Sequence, residues 1–278
     1  MQHVDILRLS KNIAKSITFL REQSSRIQKL DFGLIAHKSS PIAEIYELQK
    51  SFTLLQNALQ SFGRYVPLAI VQDLIKRNEP LNLGVKNEEL SIFFVDIENI
   101  STLAEMQASD DLLNQLTEYL TAACESIEAE LGTVDKFIGD AVMAFWGAPT
   151  PCKDHAVRAC SSALRLIGRM NDLNDKWVAD GKPAIRVRIG INTSEALVGN
   201  MGTPDRMNYT AIGDGVNVAS RLEGVNKDYG TNICISEKVV KSSGDKLNVR
   251  YLDKIKVKGR SEELKIFELL GIKNVTDL

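Results

Sequence analysis

The run Lys136-Phe-Ile-Gly-Asp-Ala-Val-Met-Ala-Phe-Trp-Gly147 constrains the chain most, because apolar residues lead up to a Gly-Asp pair and away from it again. Gly139-Asp140 reads as the tight turn of a β-hairpin. Phe137 and Ile138 on one side, and Val142, Ala144 and Trp146 on the other, let both strands pack one face on a core. Asp140 is then expected to stand exposed at the tip, where an acid on a rigid support can ligate a metal.

A second acid ends a buried strand in Leu90-Ser-Ile-Phe-Phe-Val-Asp96-Ile-Glu-Asn-Ile-Ser101, after which the chain turns into a helix. Either Asp alone is ordinary, one as a helix N-cap and the other as a turn residue. Together, at the ends of neighbouring strands, they suit a pair of hard cations and metal-assisted phosphoryl chemistry. The third segment is Asn208-Tyr-Thr-Ala-Ile-Gly-Asp-Gly-Val-Asn-Val-Ala-Ser-Arg-Leu-Glu223, a short strand, a Gly-Asp-Gly turn and a helix opening. Asn217 and Arg221 are four apart and share one helical face, an amide and a guanidinium suited to a ribose and a charged phosphorus centre. With these three segments in this order, the region from about Lys86 to Gly271 resembles the catalytic domain of class III nucleotidyl cyclases.

The remaining composition agrees with an ordinary globular chain. The 278 residues are 44% hydrophobic and 25% charged with a formal net charge of -2, and charges of both signs are interspersed, so no groove for nucleic acid is expected. Cys124, Cys152, Cys160 and Cys234 lack metal-ligand spacing and read as buried thiols in a reducing compartment. No run reaches the roughly 18 apolar residues of a membrane helix, and the start lacks signal-peptide character. A soluble cytoplasmic chain is expected.

Residues 1 to about 85 have a different texture. Ile45, Leu48, Phe52, Leu55, Leu59 and Phe62 alternate in steps of three and four, the seam of a coiled coil, and Ile6, Leu9, Ile13, Ile17, Leu20 and Ile27 follow similar steps. The two runs are joined by Leu30-Asp-Phe-Gly-Leu-Ile-Ala-His-Lys-Ser-Ser-Pro41, with Glu44 at the second helix start. This helix, connector, helix order resembles a HAMP signalling module; a plain dimerising coiled coil is the alternative. The resemblance implies the cytoplasmic part of a membrane receptor whose transmembrane sensor would precede Met1. Gly63 and Pro67 break the helix, and a loop near Pro80 marks a boundary. The expected division is 1-62 HAMP-like helical module, 63-85 linker and 86-278 catalytic domain.

Within that last region the pattern predicts a strand over 90-95, a helix over 101-131, the hairpin over 133-146 and a helix over 154-178. Strands follow over 185-191, 196-201 and 206-211, then the helix bearing Asn217, then strands over 232-235, 249-257 and 263-269. A leading βαββαβ unit with extra antiparallel strands fits an α+β, ferredoxin-like palm, which the resemblance also implies.

The resemblance further implies a role for each matching residue. Asp96 and Asp140, with the Ile97 backbone, would hold two Mg²⁺ or Mn²⁺ ions per site, and the amides of Ile97, Asn99, Ile100 and Ser101 would cradle phosphates at a helix start. Glu98-Asn99 departs from the family pattern and puts the detail of that cradle in question. Lys136 and Thr210 stand where the family reads the purine; a lysine donates to adenine N1 and a threonine oxygen accepts from the exocyclic amine, so the pair favours ATP. Threonine there marks a subclass whose members often respond to bicarbonate. Asn217 would orient the ribose and Arg221 stabilise the α-phosphoryl group. Lys258, selected from its neighbours Lys254 and Lys256 by the following glycine, would meet the terminal phosphates. Arg206 reads as an exposed loop arginine, and His155 and Trp146 as structural. The implied activity is conversion of ATP to 3′,5′-cyclic AMP and pyrophosphate by a head-to-tail homodimer with two sites. Guanylyl cyclase activity and a catalytically silent regulatory domain are the alternatives.

Overall fold

The computed structural model describes residues 2-28, 31, 40, 42-63, 71, 83-256 and 263-273. The chain divides into two compact units, Met1–Leu81 and Asn82–Leu278.

In the first unit, two helices, α1 (Gln2–Gln28) and α2 (Ala43–Phe62), carry the two apolar runs. Gly63 caps α2, as expected of a residue that weakens helix propagation. Leu48, Leu55 and Phe62 of the predicted seam are exposed on the chain. Most of the predicted connector and linker, including Pro41, Pro67 and Pro80, lies outside the described residues. Among the described residues no helix is long and apolar enough to cross a membrane.

The second unit is an eight-stranded mixed sheet with helices on both faces. In chain order it contains β1 (Gly84–Ile97), α3 (Ile100–Met106), α4 (Ser109–Ala129), β2 (Thr133–Ile138), β3 (Ala141–Trp146), α5 (His155–Ala179), β4 (Val187–Thr203), β5 (Arg206–Ile212), α6 (Asp214–Tyr229), β6 (Ile233–Ser236), α7 (Glu237–Ser243), β7 (Leu247–Lys256) and β8 (Glu263–Ile272). The strand order is β2-β3-β1-β4-β6-β8-β7, with β5 pairing the far end of β4. β1 to β4 with their helices form the predicted βαββαβ unit, and β4, β1, β3 and β2 lie in ferredoxin-like order.

Alternation along β1 sorts the core into two faces. Phe93, Val95 and Ile97 pack with Tyr119 and Ile127 of α4 and with Cys160, Leu166 and Trp177 of α5. Leu90, Ile92 and Phe94 pack on the other face with Met143, Phe145, Ala196, Val198 and Ala219 of α6. Trp146 is fully buried, and its indole N–H donates to the Glu130 carbonyl at 2.9 Å. Buried Ser91 bridges His155 Nδ1 at 2.8 Å and Thr193 Oγ1 at 2.7 Å, which gives His155 a structural place.

Two expected elements differ in the structure and one element is additional. The helix over 101-131 is two helices, parted where Gln107 adopts an extended backbone. The strands over 185-191 and 196-201 are one strand of 17 residues, β4. Its middle, Asn192-Thr-Ser, is polar and looks like a break, yet all three side chains are buried, and Asn192 and Thr193 hold polar partners. α7 was not anticipated, because seven residues are too few to display a helical period.

Candidate active site

The Gly139-Asp140 turn is present, joining β2 to β3, and Gly139 takes a φ of 66°, in the left-handed region that glycine enters without strain. Asp140, however, is half-buried rather than exposed. Its Oδ2 is enclosed and has no hydrogen-bond partner among the described residues. Asp96, one residue before the end of β1, follows Phe94 on the α6 face and sits opposite Arg188 in the ladder with β4. Its Oδ1 accepts the Ile97 amide at 3.0 Å.

The two carboxylates meet. Burial first, then a hydrogen bond and charge repulsion from Asp140, with a smaller repulsion from Glu223, push Asp96 up from 3.8 to about 7. Two acids brought together, with one carboxylate oxygen buried and without a partner among the described residues, make a site that favours a positive charge. That donor set fits a hard divalent cation, whose remaining oxygens come from backbone, water or substrate phosphate. Among the described residues no cluster of three His, Cys, Asp or Glu side chains is available for a metal.

The predicted phosphate cradle is narrower than the four amides of Ile97, Asn99, Ile100 and Ser101. The Ile97 amide is turned to Asp96, and that of Glu98 donates to the Arg186 carbonyl at 2.8 Å. Asn99 takes a left-handed φ of 57°, and Ile100 and Ser101 open α3, where first-turn amides have no intrahelical acceptor.

Lys136 and Thr210 come together through a residue the sequence reading passed over. Asp135 lies in a bulge, since β2 shifts register against β3 between Val134 and Lys136. Its side chain is 1% exposed, with Lys136 Nζ 3.4 Å from Oδ1. Thr210 Oγ1 donates to Asp135 Oδ2, and the Ala211 amide also bonds the carboxylate. Burial raises the Asp135 pKa, while Thr210, Lys136 and Ala211 counter it. An acid next to a lysine in a strand should point to the opposite face; only the bulge lets the two side chains meet.

Asn217 and Arg221 stand on α6, which begins at Asp214 after Gly213. Val218, Ala219, Leu222 and Asn226 are buried toward the sheet, whereas Asn217 and Arg221 are exposed on the opposite side of the helix. The helix lies against β4 backbone to backbone: a Cβ at Gly190 would stand 2.2 Å from the Glu223 nitrogen and 2.3 Å from the Ala219 oxygen. Polar ties fix it there. Arg188 pairs with Glu223 at 2.9 Å, Asn226 Nδ2 donates to the Ile189 carbonyl at 2.9 Å, and Asn192 Nδ2 to the Gly215 carbonyl at 3.0 Å. Arg206 is exposed at the β4-β5 turn. Lys258 lies outside the described residues.

Comparison with known proteins gives concordant results. Residues 85–271 match the family described as "Adenylate and Guanylate cyclase catalytic domain". The chain is 38% identical over 266 residues to "Adenylate cyclase 1" of Rhizobium meliloti, covering 96% of this chain and 40% of that protein. It is 36% identical over 229 residues to an adenylate cyclase of Anabaena cylindrica, covering 80% of this chain and 45% of the relative. The crystal structure of the adenylyl cyclase CyaB from P. aeruginosa superposes with a TM-score of 0.63 at 35% identity, covering 70% of this chain and 100% of that one. The chain thus spans less than half the length of these two curated relatives.

Proposed function

The chain belongs to the family of adenylate and guanylate cyclase catalytic domains, and from that membership we propose that it is an adenylyl cyclase making 3′,5′-cyclic AMP and pyrophosphate from ATP. The observation that carries the proposal is the meeting of Asp96 and Asp140 with one carboxylate oxygen buried and unanswered. Asp96 and Asp140, with the Ile97 backbone, would hold Mg²⁺ or Mn²⁺, two per site, and bound cations would supply positive charge to activate a ribose 3′-hydroxyl and to offset the charge of departing pyrophosphate. The protein's own groups bind and orient. Lys136 and Thr210 read the adenine edge, Asn217 holds the ribose, and Arg221 meets charge developing on the α-phosphoryl group. The amides of Asn99, Ile100 and Ser101 receive phosphate oxygens, and Lys258 is assigned to the terminal phosphates.

The site is shared between two copies of the chain. Asp96 and Asp140 lie on the side of α6 that faces the sheet, where Glu223 also points, while Asn217 and Arg221 face away from it. One chain cannot turn both sets on one nucleotide. A symmetric head-to-tail homodimer supplies the metal acids from one protomer and Asn217 and Arg221 from the other, twice. Phe137, Ile138, Leu197 and Ile212 leave apolar surface exposed for such a contact. The upstream helices, read as a HAMP-like module over 1-62 with a linker over 63-85 ahead of the domain over 86-278, would pair along the exposed seam and transmit a signal from a sensor. A cytoplasmic location, alone or as part of a membrane receptor, supplies the ATP.

The test is product formation from ATP and from GTP, with Mn²⁺ and with Mg²⁺, beside Asp140→Ala. Cyclic AMP that disappears in the variant is expected; cyclic GMP as the main product would overturn the purine reading, and equal turnover in the variant would overturn the site.

A further inference from the structure

We infer that Asp135 is a positioning residue for purine selectivity: by taking the single proton of the Thr210 hydroxyl, it leaves that oxygen able only to accept a hydrogen bond from the substrate base. This rests on the proposed reading of Thr210 as the residue that meets position 6 of the purine.

The geometry begins with the bulge in β2, where one extra residue on the strand turns Asp135 to the same side as Lys136. The Asp135 side chain is 1% exposed and is reached by three donors: the Thr210 hydroxyl, the Ala211 amide and, at 3.4 Å, the Lys136 ammonium. An ionised carboxylate only accepts, so the Thr210 O–H must donate to it. A hydroxyl has one proton. Once committed, its remaining lone pairs suit the 6-amino group of adenine and oppose the 6-oxo group of guanine. A threonine without this carboxylate could rotate and donate to an oxo group just as well. A buried unpaired mismatch is costly, and discrimination therefore follows from hydroxyl direction rather than from pocket shape.

The prediction is specific to the group at position 6. Wild-type protein should favour ATP over purine riboside triphosphate, which lacks the 6-amino group, by about tenfold in kcat/KM, the worth of one hydrogen bond. In Asp135→Asn, whose side-chain amide can donate to Thr210, that ratio should fall toward one and the preference for ATP over GTP should fall with it. The ratio rather than either absolute rate is the readout, because Asp135 also pairs with Lys136 and its loss affects both substrates through that contact. A fall equal for both substrates, or an unchanged ratio, would overturn the inference in favour of a structural acid. Thr210→Val separates the two levels of the argument. If it leaves the wild-type ratio intact, Thr210 does not read position 6 and the underlying assignment fails.

A measurement on wild-type protein stands independently of how the variants fold. 6-Methoxypurine riboside triphosphate keeps the N1 acceptor but presents only an acceptor at position 6. A hydroxyl committed to Asp135 should disfavour it severalfold relative to the unsubstituted analogue. Equal or better use of the methoxy compound would mean that Thr210 turns freely, which overturns the inference.

Discussion

Gly190→Ala tests how tightly α6, the helix proposed to present Asn217 and Arg221 to the nucleotide, is registered on the sheet. Gly190 has an ordinary backbone conformation, so alanine brings no φ strain; the cost is steric. Its Cβ would lie 2.2 Å from the Glu223 nitrogen, 2.3 Å from the Ala219 oxygen and 2.8 Å from the Leu222 carbonyl carbon, all of them backbone atoms of α6. A side chain could swing aside, but a helix must retreat as a unit. Restoring ordinary contact takes a displacement of about 1 Å, and overpacking of this kind costs about 1–3 kcal/mol. The same retreat stretches the Arg188-Glu223 pair and the Asn226-Ile189 and Asn192-Gly215 hydrogen bonds. At about 1 kcal/mol for each of the three weakened bonds, the total reaches about 4–6 kcal/mol. Asn217 and Arg221 ride on that helix, and misplacement by about 1 Å lowers turnover by about 100-fold. Urea unfolding and cyclic AMP formation, measured where the variant is still folded, read the two effects. Gly224→Ala is the control: it lies on the same helix with nothing within 4 Å of its Cβ. It should gain about 0.5–1 kcal/mol from reduced chain entropy. A Gly190→Ala protein as stable and active as wild type would refute the registration argument.

Two further outcomes are expected. Asp140→Ala and Arg221→Ala should each be inactive as homodimers, yet their equimolar mixture, after exchange, should recover about a quarter of wild-type activity, because half the dimers carry one intact shared site; no recovery would indicate that each chain works alone. Asp96, raised from 3.8 to about 7, keeps a proton in the cation-free folded protein that the unfolded chain has released, so its contribution to stability is full below about pH 4 and lost as pH rises through 7. A divalent cation must displace that proton, so the rise in Tm on adding Mn²⁺ should be larger at pH 8 than at pH 5.5, and an equal rise at both would contradict the pairing of Asp96 with Asp140.

The parts legible in the sequence were those with a local signature. The Gly139-Asp140 turn, the buried run ending at Asp96 and the helix bearing Asn217 and Arg221 announce themselves within a dozen residues each, and their order was enough for the βαββαβ frame. What escaped depended on distant partners. Asn192, Thr193 and Ser194 look like a loop until Ser91 and Gly215 are known to lie beside them. Asp135 looks like the solvent-facing neighbour of Lys136 until the bulge reverses the expectation. The exposure expected of Asp140 failed because β3 pairs with β1, Val142 opposite Val95, which sets the turn beside the buried end of β1, and burial of a turn residue leaves no trace in periodicity. Glu223 and Arg188 could have been suspected as opposite charges on a helix and a strand predicted to pack, but nothing local chose that pair.

One unbroken strand, β4, carries Arg188, opposite Asp96, at one end and Gly199, opposite Thr210, eleven residues later, a span of roughly 35 Å along the backbone. In the proposed homodimer one end serves the metal half of one site and the other end the base half of its twin. The strand then behaves as a rigid yoke. Nucleotide seated at one site fixes an end of the yoke and so changes the gap that the second nucleotide meets, which makes the two sites thermodynamically linked, with the sign and size of that linkage readable from the Hill coefficient for ATP.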